Sequence, residues 1–465
     1  MTSKGVSLIL VFLALFCYSY FFQVAGWNQN SRMALIMSVV HHHQLNIDPY
    51  AEITGDKALY NGHYYSDKAI GTAVLGVPVY TVLSKLPGSG IEKYSLYLIT
   101  LFVVSVPSAG LSLLLYQLMR VLGGSCIWAL ILTLIYSFGT LAFPFSTMLF
   151  GHQLAATFAF AAFFVLVKAR LRASPFSSRW LLFIAGALAG LAVLSEYPVI
   201  LIAALLFIYA ATFVRPKRRL LFYILGGAPA AALLLAYNWY TLDSPFSFAY
   251  SYISEGNSEF TEMTRGLFGI AQPRWSSFIE ITLGPLGLLT QSPFLWLLPL
   301  GVWLMSRTAQ WRRECALCVC VGLAFIIWNS GYYLPLGGLS PGARFLVPSL
   351  PFLIVPLVFL TRLPQPYALW TKFIVVAEGA WSMSLYFLIC ATGRGPLDGD
   401  NFYNPVHGFM LERAAREDLS LNMGMEVFGL RGIASLAPLA IAFVMALAVL
   451  LFLCRASRHA SHSSF

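Results

Sequence analysis

Apolar residues fill this chain in long stretches separated by short polar connectors, without the alternation of a half-buried strand. The stretches have the length of helices that cross a bilayer, whose roughly 30 Å hydrocarbon core takes about 20 apolar residues. They run from Gly5 to Val24, Tyr94 to Met119, Ile127 to Leu141, Leu154 to Val167, Trp180 to Leu194 and Val199 to Val214. Leu220 to Tyr237, Phe294 to Met305, Cys315 to Trp328, Phe345 to Leu360, Leu369 to Cys390 and Ile433 to Cys454 follow. The pattern predicts an all-α polytopic bundle of about 12 spanning helices with juxtamembrane helices on the outer face.

A further apolar run, Ala69 to Leu86, carries Gly71, Gly76 and Pro78 and is bracketed by Lys68 and Lys85. If it does not span, Arg120, Lys168 to Arg172, Arg179, Arg215 to Arg219, Arg307, Arg312, Arg313, Arg362, Arg455 and Arg458 all share the side of the N-terminus. That side is the cytoplasm by the excess of Lys and Arg in inner loops. If it did span, every one of these basic segments would be exported. The run is therefore read as an interfacial or re-entrant helix on the outer side, with both termini cytoplasmic. Residues 1–465 form a single integral-membrane domain, with a first outer loop over 27–93 and further outer loops over 238–292 and 391–432.

Composition agrees. With 58% hydrophobic and 10% charged residues, the chain is neither a soluble enzyme, a disordered segment nor a secreted disulfide scaffold. A formal charge of +10 raises nucleic acid as a partner, but the basic residues sit in inner loops and report topology. Cys17, Cys126, Cys315, Cys318, Cys320, Cys390 and Cys454 fall in or at the ends of apolar runs and are expected to act as small hydrophobes, with neither a disulfide framework nor a zinc site. Of the 19 acidic residues, only Glu314 falls in an inner loop and Glu378 in mid-helix; the rest lie outside. Polar chemistry is expected on the outer face.

The first outer loop is dense in chemistry. After a short amphipathic helix with Met33, Ile36, Met37 and Val40 on one face come His41, His42 and His43, then Asp48, Asp56 and the run Tyr60 to Lys68. Carboxylates accept hydrogen bonds from hydroxyls and serve as general bases, aromatic faces stack on sugars, and lysine neutralises phosphate. Adjacent histidines on a helix point about 100° apart, so the three do not converge on one metal. No cofactor is called for; a divalent metal is possible but not indicated. His152, in the second outer turn, is a candidate base or hydrogen-bond donor. The third loop carries Glu255, Glu259, Glu262, Arg265 and Arg274, the last a candidate for lipid phosphate, and the glycine-rich fourth places Arg344 at a helix entrance.

At these residues the chain resembles the GT-C superfamily of membrane glycosyltransferases, which includes protein O-mannosyltransferases and the lipid A aminoarabinose transferases. The similarity covers most of the chain. It rests on the first helix and its acidic outer loop, and on Tyr64-Tyr65-Ser66-Asp67-Lys68-Ala69-Ile70-Gly71 in place of the family's Tyr-x-x-Lys-Pro-Pro-Gly-like element. Ala236-Tyr237-Asn238-Trp239 with Ser244-Pro245, and Gly337-Gly338 leading to Gly342-Ala343-Arg344-Phe345, are further marks. The resemblance implies an outward-facing enzyme that moves a sugar from a polyprenyl-phosphate donor to a glycan, lipid or protein acceptor in a bacterial plasma membrane. By position Asp48 or Asp56 matches the loop carboxylate that serves as base, and Lys68 the lysine on donor phosphate. Tyr64, Tyr65, Asp67, Arg274 and Arg344 complete the expected substrate contacts. Two departures stand out: Ala69-Ile70 replaces the proline pair, and His152 stands where many relatives have an acidic residue.

Two other readings compete. A transporter or flippase of a lipid-linked glycan predicts ionisable residues deep within many helices; apart from Glu378, and Glu196 and Lys372 near helix ends, they are scarce. A noncatalytic scaffold predicts outer loops without clustered Asp, His and Lys.

Overall fold

The computed structural model describes residues 2–86, 93–171, 175–253, 262–263, 269–393 and 406–462. Glu255, Glu259 and Arg265, and parts of the outer loops at 87–92 and 394–405, lie outside the described residues. The protein is an integral, multi-pass, helical membrane protein. Seven helices among the described residues are long and apolar enough to cross a membrane, and an eighth span is a bent pair.

The longer helices are α1 (Thr2–Tyr20), α2 (Trp27–His42), α3 (Gly71–Leu83), α4 (Ser95–Val121), α5 (Cys126–Phe138), α6 (Gly151–Leu171) and α7 (Pro175–Ser195). They continue as α8 (Ile200–Phe213), α9 (Leu221–Leu242), α10 (Trp275–Leu283), α11 (Leu298–Ser306), α12 (Arg312–Ser330), α13 (Arg344–Arg362), α14 (Tyr367–Thr392) and α15 (Ala437–His462). Each apolar run of the sequence is helical. The run at Phe294 to Met305 proves to be half of a longer feature: 275–291 and 293–306 meet at a 99° bend, with Pro293 at the break.

Aromatic side chains of α5, α6 and the turn between them fill the centre, with Phe138, Phe143, Phe145, Phe150, Phe160 and Phe163 fully buried. Leu221, Ile224, Ile441, Val444 and Phe452 instead lie on the outside of the bundle, where acyl chains replace water as the solvent for apolar surface. Close helix contacts use glycine. A Cβ at Gly186 would stand 1.9 Å from the Tyr223 carbonyl oxygen, and one at Gly226 2.0 Å from that of Phe183, so α7 and α9 meet backbone to backbone.

Two expectations are corrected. Cys126 and Cys454 are joined in a disulfide across 328 residues of sequence, because α5 begins beside the end of α15; spacing along the chain carries no sign of such a pairing. The first-loop helix α2 is present, but it does not lie with its polar side outward. Asn28, Gln29, Ser31 and Arg32 are buried along with Met33 and Ile36, since both sides of α2 are packed.

Glu378 sits in α14 next to Gly379, which packs on Ile135. Its Oε2 is buried and has no hydrogen-bond partner among the described residues. Glu314 is buried in α12, 2.6 Å from Arg170 Nε and bonded by the Tyr209 hydroxyl. Arg170 lies in the last turn of the helix that Gly151 begins, so this ion pair is nearly a full helix length from His152.

Candidate functional site

A two-residue hairpin builds the first half of the site. Asn61 and Gly62 both take positive φ, 49° and 82°, the turn whose twist suits two antiparallel strands. Strands β1 (Lys57–Tyr60) and β2 (His63–Ser66) pair with Lys57 opposite Ser66, which brings Asp56 and Asp67 together at the open end. Both carboxylates reach Lys68, Asp56 Oδ2 and Asp67 Oδ2 each standing 2.8 Å from its Nζ. Helix α2 braces this end, with Ser31 Oγ 2.8 Å from Ser66 Oγ and donating to Asp67 Oδ1 at 3.5 Å. Asp56 and Asp67 are 9% and 4% exposed, so water screens the three charges little. Burial alone would push the Lys68 ammonium down, but the Asp56 and Asp67 carboxylates hold it above the usual lysine range. Burial pushes the Asp67 carboxyl up against the pull of Lys68.

The second half is assembled from three helix ends. Arg32, projecting from α2, donates from Nη1 to Thr72 Oγ1 at 2.8 Å and to the Ala69 carbonyl at 3.1 Å, just past Lys68. Its Nη2 lies 3.0 Å from Glu196 Oε1, and its Nε donates to Asn28 Oδ1 at 3.2 Å. Glu196 follows the last residue of α7, and burial raises its carboxyl while Arg32 opposes the rise. His152, in the first turn of α6, places Nδ1 3.4 Å from the same Glu196 oxygen, an ion-pair separation somewhat longer than a normal N–H···O hydrogen bond. His152 Nε2 is buried and has no hydrogen-bond partner among the described residues. Two glycines allow the convergence. A Cβ at Gly71 would stand 2.7 Å from the Leu194 backbone, and one at Gly151 2.4 Å from Glu196 Oε1.

Arg344 closes the cluster. Its guanidinium carbon stands 5.1 Å from the Phe345 ring and 5.6 Å from that of Phe150, the range of a cation–π contact. The His152 ring packs on the same two side chains, at 5.4 Å and 6.0 Å. Among the described residues, the buried Arg344 Nε has no hydrogen-bond partner and no carboxylate pairs with this side chain. Gly337, with φ +83°, passes so close that a Cβ would stand 2.3 Å from that nitrogen.

The structure thus brings Asp56, Asp67, Lys68, His152 and Arg344 into one cluster at one end of the bundle, and adds Arg32 and Glu196. Asp48 stands apart from it, accepting from His63 Nδ1 and from the Tyr64 backbone N–H, each at 2.6 Å, and so ties β2 to the preceding turn. Tyr64 lies under the Lys57 ammonium, 4.6 Å from its ring centroid. Tyr65 is half-buried on β2, opposite Ala58. Arg274 donates from Nη2 to the carbonyls of Tyr332 and Tyr333 at 3.1 and 3.2 Å, clasping the loop that leads to Arg344. Sequence reasoning missed Arg32 and Glu196. A cation beside apolar positions of α2 looked like the wet face of a surface helix, and Glu196 like a helix-end charge. The histidines at 41–43 bond separately, His41 to Tyr80 and His42 to Tyr50.

No family model and no curated protein sequence matches the chain. Its fold is similar to that of ArnT from Cupriavidus metallidurans in the apo state, with TM-score 0.56 at 15% identity over 98% of this chain and 76% of that one. The same protein bound to undecaprenyl phosphate gives TM-score 0.52 at 14% identity, covering 97% and 75%. The archaeal oligosaccharyltransferase AglB from Archaeoglobus fulgidus, in complex with an inhibitory peptide and a dolichol-phosphate, gives TM-score 0.51 at 14% identity over 84% of this chain. The chain spans 56% of the length of AglB.

Proposed function

We propose that this chain, whose fold is that of the GT-C membrane glycosyltransferases, transfers a sugar from a polyprenyl-phosphate donor to an acceptor on the outer face of the membrane. The observation that carries the reading is the charge arrangement of this cluster. Lys68 is held between Asp56 and Asp67, whereas Arg344 stands on an aromatic cage with no carboxylate partner among the described residues. A phosphate monoanion or dianion seated beside Arg344 is matched by a planar fork of donors. As the bond from the anomeric carbon to phosphate breaks, negative charge grows on the departing oxygen. A fixed cation there lowers the transition state more than the ground state. The similarity to ArnT bound to undecaprenyl phosphate, and to AglB with a dolichol-phosphate, supports a lipid-phosphate donor.

The test is mass spectrometry of envelope glycans and of polyprenyl-linked sugars in cells that lack the gene. The expected result is loss of one sugar modification together with accumulation of a sugar on its lipid-phosphate carrier. Unchanged glycans and carrier pools would overturn the proposal.

A further inference from the structure

His152 and Glu196 are arranged for proton transfer. A neutral imidazole has one donor and one acceptor nitrogen, and the bond made by one fixes the role of the other. With Nδ1 3.4 Å from Glu196 Oε1, the carboxylate favours the tautomer that carries its proton on Nδ1, which leaves Nε2 as the acceptor. Glu196 is in turn held at 3.0 Å by Arg32, whose other bonds to Thr72 and Ala69 anchor it to the segment that carries Lys68. The Glu196 carboxylate lies beside the ring, and the Arg344, Arg32 and Lys68 cations also act on it. By contrast, Asp56 and Asp67 each commit an oxygen to the Lys68 ammonium.

We propose that His152 is the general base of the transfer, that Glu196 is its positioning residue, and that the acceptor nucleophile is a hydroxyl group. This rests on the glycosyltransferase reading above. In the step, the acceptor oxygen forms a bond to the anomeric carbon and its proton passes to His152 Nε2. The carbon–oxygen bond to phosphate breaks, and its electron pair leaves with the polyprenyl phosphate, which faces Arg344. The Glu196 carboxylate stabilises the imidazolium so formed, as the acidic member of a Ser-His-Asp triad does. A hydroxyl needs this help because it must lose a proton to attack well. A phosphate acceptor is already ionised and has no use for it.

The experiment uses the full-length chain, expressed in cells that lack the chromosomal copy. It reads the initial rate at which the glycan dependent on the wild-type gene appears after induction. If wild type restores no glycan, the transferase reading itself has failed. Where it does restore one, His152→Ala and His152→Gln should each lower the rate about 10²-fold or more. Thermal unfolding of the purified variants separates this from misfolding, and His152→Gln carries the test if His152→Ala does not fold. Imidazole in the medium should restore His152→Ala and leave His152→Gln unchanged. Glu196→Gln should cost about tenfold in wild type and nothing further in His152→Ala, the non-additivity of residues that act as a unit; a purely structural Glu196 would give additive losses. The new linkage should be a glycoside that survives mild acid. A wild-type rate in His152→Gln, a folded His152→Ala that imidazole does not restore, or an acid-labile glycosyl phosphate product would each overturn the proposal.

Discussion

Lys68 illustrates how a buried charge depends on its partners. Removing it by Lys68→Met leaves Asp56 and Asp67, both nearly inaccessible, facing each other without a counter-charge. Breaking such an ion pair from one side costs about 3–5 kcal/mol when the pair is fully buried. A marked fall in melting temperature is therefore expected, and adding Asp67→Asn should recover part of it. Equal melting of Lys68→Met and wild type would show that water relieves the carboxylates. The pH dependence has a definite sign. Asp67 and Glu196 titrate higher in the fold than their ordinary values of 3.8 and 4.5, so the folded chain holds protons that the unfolded chain has released. These two groups therefore make stability fall as pH rises from those ordinary values through the raised ones, and Asp67→Asn should flatten the profile of melting temperature against pH. Arg344 makes a separate prediction. Arg344→Gln should weaken binding of a short-chain polyprenyl phosphate about tenfold or more, in line with loss of a charge-assisted contact. Unchanged affinity would remove Arg344 from the phosphate site.

At the scale of elements, glycines decide how near the helix ends come to one another. Gly151 lets the first turn of α6 rest against Glu196, and Gly186 lets α7 rest against α9, but the two contacts serve different ends. Gly151→Ala would push a methyl group into the space that the Glu196 carboxylate occupies, moving it relative to His152. With the Ser195 carbonyl oxygen also 2.2 Å from that methyl group, melting should fall too, but transfer per folded molecule should fall by tenfold or more, since a misplacement of about 1 Å at a reacting centre costs on the order of 10²-fold. Gly186→Val, remote from the cluster, should instead lower melting by helix separation and leave the residual folded protein active. Rates measured per folded molecule distinguish the two. The hairpin is a third case. Asn61 sits in the left-handed region at φ 49°, where Asn is tolerated far better than a β-branched residue. Asn61→Val should therefore disturb the pairing that aligns Asp56 with Asp67.

For the whole molecule, the prediction is topological. With α3 not crossing the membrane, Lys85 and Lys93 are expected on the outer side, together with the hairpin, His152 and Arg344. The basic connectors, the Glu314–Arg170 pair and the Cys126–Cys454 disulfide are expected at the inner end. Single cysteines at positions 85 and 93, in a chain without its native thiols, should react with an impermeant reagent added from outside. Reaction at position 93 only after permeabilisation would invert the side assigned to every later loop.

The helices and the membrane were legible in the sequence because in a bilayer every backbone N–H and C=O must be bonded within its own segment, so long apolar runs have no alternative to the helix. Asp56, Asp67 and Lys68 could be read as one group because they lie within a dozen residues, and His152 and Arg344 were visible as polar residues at helix mouths. What the sequence did not contain was the pairing. Arg32, Glu196 and His152 come from α2, the end of α7 and the start of α6. Their meeting depends on how closely three helices pack, which Gly71 and Gly151 permit without announcing which neighbour they admit. The same holds for Cys126 and Cys454, and for the separation of Asp48 from Asp56, eight residues apart in the chain yet bonded to different partners. Local periodicity follows from the solvent each residue meets, whereas contacts between distant residues follow from the shape of the packed bundle, and only the tertiary structure decides those.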